Sequence, residues 1–432
     1  MRPSPLSKRI TASITIGLCL FGGFCAVRGE NWPCFRGPSH QGASLEANLP
    51  LHWNAGSNVL WKTAIPRLGW SSPIVWGERV FLTSSPEDGK ELHLLCLDAT
   101  TGKVLWNRAA LAQDPVRKDE GNSWATPTPV TDGRHVYVVS FNGAFAAVDF
   151  GGNVVWTNLE TKFYLKHGLA ASPLLEAGIL VMPCDGTSTG PDAYLGWQKP
   201  WDGSYVIALD ADTGKVRWKT GRGRSRVAFS SPNAALVDGG FQVVSVAGDV
   251  VQGFDLRTGE RIWTAESFGE GPTPSAVVGG GVVFSASGWN TGGPEKPMAI
   301  RAFRLGGRGD VSKTHLVWEQ PKGQPKVPSF VYVDPYLFVV EETGGLECLQ
   351  SGTGEIVWKT KLSGRHEPSP VLADGRLYLL SSSGRTTVIE AGGAFKKLSE
   401  NPLEEKCGAS MAVSGQRLFI RGENSLFCIG RR

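Results

Sequence analysis

Four aspartates recur at matched positions in this 432-residue chain, each followed by a tight turn and a tryptophan. Repeated carboxylates could bind metal ions, or could accept hydrogen bonds from the amides of the turn. Because they are spread one per repeat, we favour the structural role and predict no metal site. The glycine would supply a positive φ and the tryptophan would lie flat between repeats. The residues of this motif are Asp98, Trp106, Asp149, Trp156, Asp210, Trp218, Asp255 and Trp263, with Trp358 ending a copy that lacks the aspartate.

Aromatic, cationic and imidazole side chains in the longer loops are the candidates for contacting a ligand or partner. Interpretations without a binding role remain open: 221–226 could be a solvated basic loop, 196–203 could be packed by its own aromatic residues, and the histidines could have no role. The candidate residues are Trp70, Trp124, His167, Trp197, Trp201, Arg224, Arg226, Trp289, Arg365 and His366.

Familiar catalytic motifs are missing from the sequence. There is no G-x-S-x-G nucleophile turn, no phosphate-binding G-x-x-x-x-G-K-[ST], no C-x-x-C and no adjacent cysteine pair. The charge is nearly balanced, with 44 basic and 40 acidic residues, so no overall field favours nucleic acid. Catalytic residues therefore remain unassigned, and an enzyme is the less favoured interpretation.

The N-terminus has the pattern of a secretory signal peptide, with Arg2, Lys8 and Arg9 before an apolar segment at 10–27. We predict a signal peptide at 1–29, cleaved after Gly29, and export to the periplasm or the extracellular space. A retained anchor is the alternative, although no second long apolar segment follows. Large residues precede Cys19 and Cys25, which disfavours lipidation.

The elements that position these residues are repeated. Eight Ser/Thr-Pro-like starts, each followed by a hairpin, alternate with eight endings of the Asp-turn-Trp type, including degenerate endings at Trp318 and Leu398. This pattern predicts an all-β fold, an eight-bladed β-propeller of four-stranded blades. A strand at 58–61 would join three C-terminal strands at 409–429 and close the ring. The propeller would span 58–432, preceded by an N-terminal arm at 30–57.

Export permits disulfide bonds. Cys96, Cys348 and Cys428 align at one small apolar position of the third strand, which predicts compact packing residues. Cys34, Cys184 and Cys407 remain open, and a Cys34–Cys407 bridge between the arm and the closing blade is one hypothesis.

The two faces of the propeller differ in loop length. The turns between strands one and two, and between three and four, are short throughout, whereas the opposite face carries insertions. We expect binding there, with Trp70 and Trp124 near the rim of the central channel. The insertions span 107–124, 157–169, 184–204, 285–297 and 319–327.

The motif A-x-D-x-x-T-G-x-x-x-W is similar to the tryptophan-docking motif of the pyrroloquinoline-quinone (PQQ) dehydrogenase superfamily of eight-bladed propellers. The segment NWPCFRGPSHQG at 31–42 also resembles the start of many secreted PQQ-like repeat proteins. The superfamily includes non-catalytic, BamB-like relatives. For its enzymes the resemblance implies PQQ, a Ca²⁺ ion, a catalytic Asp, an Arg near the quinone and often adjacent cysteines.

Three functional hypotheses follow from the resemblance and the loops. The favoured one is an exported non-catalytic scaffold that binds a protein or another envelope component. The second is a PQQ-dependent alcohol or sugar dehydrogenase, whose PQQ and Ca²⁺ site we cannot assign to any residues. The third is a propeller that binds carbohydrate or another small ligand through its aromatic face.

Overall fold

Short strands account for all of the regular structure described by the computed structural model. The description covers residues 29–115, 117–289, 298–321 and 323–431, and contains no α-helix. The strands form eight separate antiparallel sheets of four main strands each. The predicted eight-bladed all-β propeller is therefore confirmed.

Each blade takes consecutive strands of the chain. Blade 1 comprises β2 (Ile74–Trp76), β3 (Arg79–Ser84), β4 (Glu91–Asp98) and β5 (Val104–Ala112), and blade 2 comprises β6 (Val130–Thr131), β7 (His135–Val139), β8 (Phe145–Asp149) and β9 (Val154–Asn158). Blade 3 comprises β10 (Leu174–Glu176), β11 (Ile179–Cys184), β12 (Tyr205–Asp210) and β13 (Val216–Gly221). Blade 4 comprises β14 (Asn233–Val237), β15 (Gly240–Val246), β16 (Val250–Asp255) and β17 (Arg261–Glu266).

Blade 5 comprises β18 (Val277–Gly279), β19 (Val282–Ala286), β20 (Ile300–Arg304) and β22 (Leu316–Gln320). Blade 6 comprises β23 (Val331–Val333), β24 (Tyr336–Val340), β25 (Gly345–Gln350) and β26 (Ile356–Lys361). Blade 7 comprises β27 (Val371–Ala373), β28 (Arg376–Leu380), β29 (Arg385–Glu390) and β30 (Lys397–Pro402). The short β21 (Gly309–Asp310) adds a parallel fifth strand to blade 4.

The eighth blade is built from both ends of the propeller. Its sheet joins β31 (Ala412–Ser414), β32 (Arg417–Arg421) and β33 (Ser425–Ile429) to β1 (Val59–Ala64). Strand β1 pairs antiparallel with β33, from Val59 opposite Ile429 to Ala64 opposite Ser425. The predicted closure is confirmed, and it places the outermost strand of the last blade near the start of the propeller sequence.

Six of the repeat tryptophans donate their indole N–H to a carbonyl of the next blade, whereas Trp263 donates to Gln242 of its own blade. In seven of the eight blades the small residue of the third strand lies opposite the tryptophan of the fourth, as Cys96 opposite Trp106 and Cys348 opposite Trp358. The Trp106 indole donates to the Phe150 carbonyl of the next blade at 3.0 Å. In blade 7 the predicted ending at Leu398 is wrong by one residue: Ser399 lies opposite Val388, because the connection from Val388 to Ser399 is one residue longer than the connection from Cys96 to Trp106 in blade 1.

The aspartates close the turns on which these tryptophans rest. Asp98 accepts hydrogen bonds from the amide and hydroxyl of Thr101 at 2.7 and 2.9 Å, and Asp210 accepts the same pair from Thr213. The Thr101 bonds lower the pKa of Asp98, and a hydrogen bond from Arg217 together with the Thr213 bonds lowers the pKa of Asp210. Asp149 and Asp255 accept turn amides in the same way. All four carboxylates are therefore engaged within their own turns.

A belt of hydroxyl groups links neighbouring blades around the central channel. At six of the eight junctions between blades, the Ser or Thr before a first strand accepts a hydrogen bond from the backbone amide of the equivalent residue in the preceding blade, so a buried donor is satisfied there. Six links of this belt, each from amide to hydroxyl, are Ser72 to Thr128, Thr128 to Ser172, Ser172 to Ser231, Ser275 to Ser329, Ser329 to Ser369 and Ser369 to Ser410, at 2.8–3.0 Å.

The N-terminal arm closes the channel at the face of the tight turns. Trp32, fully buried, exchanges two backbone hydrogen bonds with Val75 of blade 1 at 2.8 Å. Farther along, Gln41 accepts the Val278 amide of blade 5, and Gly42 accepts the Leu372 amide of blade 7. Ser414 of blade 8 donates to the Glu30 carbonyl. The arm therefore contacts blades on opposite sides of the ring.

The disulfide hypothesis is wrong. All six cysteines of the described part are free and buried. The Cys34 thiol donates to the Gly37 carbonyl at 2.9 Å within the arm, whereas Cys407 packs in the cluster between blades 7, 8 and 1. The two thiols thus serve different packing regions. The aligned Cys96, Cys348 and Cys428 are each 0% exposed.

Some predictions lie outside the described residues. The signal peptide at 1–29 falls there except for Gly29, and so does the part of the 285–297 insertion after Trp289. Within the described residues no helix has the length and apolar character needed to cross a bilayer.

Candidate functional site

A blind funnel opens at the centre of the face that carries the long loops. Its volume is about 760 Å³. The lining comes from the N-terminal arm, from the residues just before each first strand, from the loops between strands two and three, and from the links between blades. Phe35 of the arm lines its closed end, and the hydroxyl belt forms the wall. A concave site of this size on a rigid scaffold is typical of ligand binding.

Aromatic rings line the funnel from several blades. Trp70, Trp197, Phe229 and Trp289 all contribute to the lining. Trp289 is 39% exposed, and the ammonium of Lys326 lies 4.2 Å from its ring centroid. The rim therefore offers indole surface that already attracts a cation.

His167 connects two loops at the rim. Its ring lies 4.2 Å from that of Trp197, and its Nδ1 lies 3.3 Å from Asp119 Oδ2. Burial lowers the pKa of His167, with the Asp119 carboxylate acting in the opposite direction. The imidazole thus fastens the 157–169 loop to the 107–124 loop at the funnel mouth.

Negative charge exceeds positive charge along the lining. Arg365 and Lys406 are the lining cations, and Arg365 is already paired with Glu367 at 2.7 Å. Because few cations balance the acids, the funnel favours cationic over anionic ligands. The lining carboxylates are Asp119, Glu120, Glu270, Glu367 and Glu423.

Glu270 is the most unusual of these acids. It lies on the link between β17 and β18, is 0% exposed, and neither carboxylate oxygen accepts a hydrogen bond from any described residue. Its backbone exchanges two hydrogen bonds with Trp289, at 2.9 and 2.7 Å. Desolvation raises the pKa of Glu270 to about 7, opposed by the charge of Arg226.

Five of the ten loop candidates line the funnel and five do not. Trp70, His167, Trp197, Trp289 and Arg365 are in the lining. Outside the funnel, Trp124 packs edge-on against Phe141, with 4.7 Å between the ring centroids, and Trp201 donates a hydrogen bond to Ser204 of its own loop. Arg224 donates to the Pro200 carbonyl, and Arg226 forms an ion pair with Asp249. His366 is 1% exposed and forms a hydrogen bond with the Leu380 carbonyl.

The basic cluster at 221–226 is largely neutralised inside the fold. Arg222 is 2% exposed and binds both carboxylate oxygens of the buried Asp185, with Ser245 accepting a further hydrogen bond at 2.7 Å. Burial raises the pKa of Asp185 to about 6 even though Arg222 opposes it. Since Arg226 also has its own carboxylate, two of the three arginines in the cluster are neutralised, and Arg224 is exposed and contacts a carbonyl.

Several lining residues were not among the sequence candidates. The belt hydroxyls carried a sequence signal, because they occupy the Ser/Thr-Pro-like starts of the repeats. Glu270 carried none, and Phe35 belonged to the family-like segment at 31–42 without an assigned role. Their role depends on the path of the arm and on how a link between blades folds, neither of which the repeat specifies.

The fold and the funnel define a class of protein, the eight-bladed propeller with one loop-rich face. A family model described as outer membrane protein assembly factor BamB matches residues 52–290 and 310–394. The chain belongs to this family of PQQ-like propellers.

Of two curated relatives, one is named as an assembly factor and the other as a dehydrogenase. The outer membrane protein assembly factor BamB of Yersinia pestis is 23% identical over 301 residues, which cover 66% of this chain and 68% of that protein. Methanol dehydrogenase [cytochrome c] subunit 1 of Methylorubrum extorquens is 28% identical over 148 residues, which cover 32% of this chain and 23% of the dehydrogenase.

Solved structures share the fold. BamB from Moraxella catarrhalis has a TM-score of 0.58 and 13% identity, covering 87% of this chain and 97% of its own. Quinohemoprotein alcohol dehydrogenase from Comamonas testosteroni has a TM-score of 0.63 and 11% identity, covering 93% and 81%. At these identities the likeness concerns the fold alone.

The lining residues of the funnel do not fit PQQ with Ca²⁺. PQQ carries three carboxylates and needs cationic partners, whereas the lining presents five carboxylates and two cations, one of them paired. Within the described ranges, no group of three or more His, Cys, Asp or Glu residues is placed to hold a metal ion. The charge of the funnel therefore opposes a quinone cofactor.

Proposed function

We propose that this chain is an exported, non-catalytic binding scaffold of the cell envelope, which receives part of a partner protein in the funnel. The observation that carries the proposal is the blind, one-sided funnel: the starts of the first strands form its wall, while loops of several blades form its rim. Rigid walls limit the ordering entropy lost on binding, and varied loops provide specificity.

The family supports an envelope role. The family model and the Yersinia pestis relative both carry the name outer membrane protein assembly factor. We carry only the binding role over to this chain, together with export through the signal peptide at 1–29. Mass spectrometry of the exported protein should find an N-terminus at Glu30. An intact Met1 in the exported fraction would support the retained anchor instead.

The binding proposal is tested by photo-crosslinking from matched aromatic positions. Benzoylphenylalanine would replace Trp197 at the funnel rim or Phe241, which is 36% exposed near the tight-turn face, in cells that export the full chain. We expect a defined protein adduct from position 197 and none from position 241. No adduct from position 197, or the same adducts from both, would contradict the proposal.

The dehydrogenase hypothesis has its own test. Since the funnel charge opposes PQQ, mixing the purified protein with PQQ and Ca²⁺ should give neither a shift in the quinone spectrum nor dye reduction on alcohols or sugars. A saturable spectral shift with dye reduction would reinstate the enzyme.

A further inference from the structure

Glu270 is a buried acid without a partner at the wall of the funnel. It lines the funnel, is 0% exposed, and its two oxygens accept no hydrogen bond from the described residues. An ionised carboxylate without a partner is strongly unfavourable in a buried site. Such a group either holds a proton or is completed by a donor from outside the chain.

The cation that influences Glu270 most is already committed. Arg226 lowers the pKa of Glu270 through its charge, but its guanidinium binds Asp249 through Nε and Nη2 at 2.6–3.1 Å. Asp249 acts on Glu270 in the opposite direction. Arg226 and Asp249 therefore act on Glu270 in opposite directions, and neither uses the hydrogen-bonding capacity of the Glu270 carboxylate.

The aromatic wall next to Glu270 is suited to the same kind of group. Trp289 is held beside Glu270 by two backbone hydrogen bonds. The Lys326 ammonium of this chain, 4.2 Å from the ring centroid, shows that the ring attracts a cation, which a ligand would have to displace from that face. Indole faces attract ammonium and guanidinium groups, and a carboxylate with both oxygens free can accept a guanidinium bidentately.

We propose that the funnel binds a ligand through an ammonium or guanidinium group that pairs with Glu270 beside Trp289. This inference rests on the binding role proposed above and names the ligand chemistry of the same site. The excess of lining carboxylates over lining cations favours such a ligand over an anion or a neutral sugar. The cationic group comes either from a peptide side chain or from a small free amine or guanidine.

Calorimetry on the full chain at pH 8 distinguishes these chemistries. The probes are acetyl-Gly-Arg-Gly-amide, its uncharged Gln counterpart, agmatine as a free guanidine, and maltotriose as a neutral sugar. We expect the arginine peptide or agmatine to bind at least about tenfold more tightly than the Gln peptide and maltotriose, in line with a charge-assisted hydrogen bond. Tighter binding of the peptide or of agmatine identifies the source.

Two variants test the role of Glu270. Glu270→Gln should weaken binding of the cationic probe about tenfold, whereas Glu423→Gln, at another lining acid, should change it less than about threefold. Circular dichroism and thermal unfolding would show that both variants remain folded. Should Glu270→Gln misfold, the comparison of charged and uncharged probes on the parent chain still decides the matter.

Equal binding of charged and uncharged probes, or unchanged binding in folded Glu270→Gln, would overturn the inference. The crosslinking experiment separates this failure from failure of the proposed function. A partner adduct at position 197 without cation-selective binding removes only the ligand chemistry, whereas loss of both removes the binding role as well.

Discussion

Docking tryptophans show how single residues define the contact between blades. Trp156 donates its indole N–H to the Ala211 carbonyl of blade 3 at 3.0 Å, and its ring covers Gly214 in the same turn. A Cβ on Gly214 would lie 2.5 Å from the ring, at a φ of +70°. Glycine is therefore required at position 214 for two reasons: its positive φ, and the lack of space for a Cβ beside the tryptophan ring.

The effect of the ring can be isolated with a matched pair of glycines. Gly178 has a φ of +74°, but a Cβ added to it would meet no atom within 4 Å. We expect Gly178→Ala to destabilise by about 1–2 kcal/mol, the strain of a left-handed residue. Gly214→Ala should cost a further 1–3 kcal/mol or so from overpacking. Urea unfolding midpoints measure both, and equal losses would contradict the docking argument.

Glu270 makes a prediction about pH. Its pKa is raised from 4.5 to about 7 in the folded protein, so the folded state binds more protons than the unfolded state between these values. This contribution to stability is full below about pH 4.5 and is lost as the pH rises through 7. Arg226 and Asp249 are the charges that act on it.

Replacing the carboxylate should remove that pH dependence. Glu270→Gln should gain thermal stability relative to the parent as the pH rises from 5 to 8, because the amide carries no charge to desolvate. Thermal melts at several pH values measure this difference. A parallel pH profile in parent and variant would show that Glu270 does not titrate in this range.

At the scale of the element, the N-terminal arm is an integral part of the propeller. Arg36 is 3% exposed and donates to the carbonyls of Gln41 and of Phe330 in blade 6. Burial lowers its pKa to about 9. The arm therefore combines its own turn with contacts to the blades, and its Phe35 closes the funnel.

The arm offers a buried and an exposed side chain for comparison. Trp32 is 0% exposed and Leu45 is 93% exposed. We expect Trp32→Ala to destabilise by about 3–5 kcal/mol and to speed proteolysis of the arm, and Leu45→Ala to stay within about 0.5 kcal/mol. Thermal unfolding and timed proteolysis test this. A silent Trp32→Ala would mean that the arm is dispensable.

At the scale of the whole molecule, the hydroxyl belt links neighbouring sheets at six of the eight junctions between blades. Each link satisfies a buried backbone amide with a side chain from the next blade, so the blades are fastened at the centre as well as by docked tryptophans. Ser275 differs, because its hydroxyl has no partner among the described residues. Ser275 therefore serves as a control for serines whose hydroxyl accepts a hydrogen bond in the belt.

Ser369→Ala and Ser275→Ala should therefore differ. Ser369→Ala leaves the Ser329 amide without an acceptor in a buried site, which costs about 1–3 kcal/mol. Ser275→Ala removes an unsatisfied buried hydroxyl and should be neutral or slightly stabilising. Denaturant midpoints compare them, and similar losses for both serines would argue against the belt as a stabilising link.

Much of the fold was predictable because each blade repeats one local pattern. The Asp-turn-Trp copies predict the third and fourth strands, and ring closure follows from a fourth strand that comes first. Where the pattern degenerates, register becomes uncertain, and for that reason the pattern puts the ending of blade 7 at Leu398 rather than Ser399. Blades 1 and 7 have the same β-bulge after this third-strand residue, but the connection in blade 7 is one residue longer and has no tryptophan to mark its end.

The candidate site was predictable only in part. Trp70, Trp197 and Arg365 stood out as aromatic and cationic residues in long loops, and they line the funnel. Trp124, in a comparable position, packs against Phe141 instead. Loop residues have no repeating partner, so composition does not distinguish a ring at the rim from a ring between blades.

The sequence alone determined the blade, the number of blades and the position where the ring closes, because these depend on short-range strand and turn patterns. The tertiary structure decided what lies at the centre. It placed Phe35 of the arm at the end of the funnel, paired Arg222 with Asp185, and left Glu270 buried without a partner among the described residues. These contacts join residues far apart in the chain, and no local pattern encodes them.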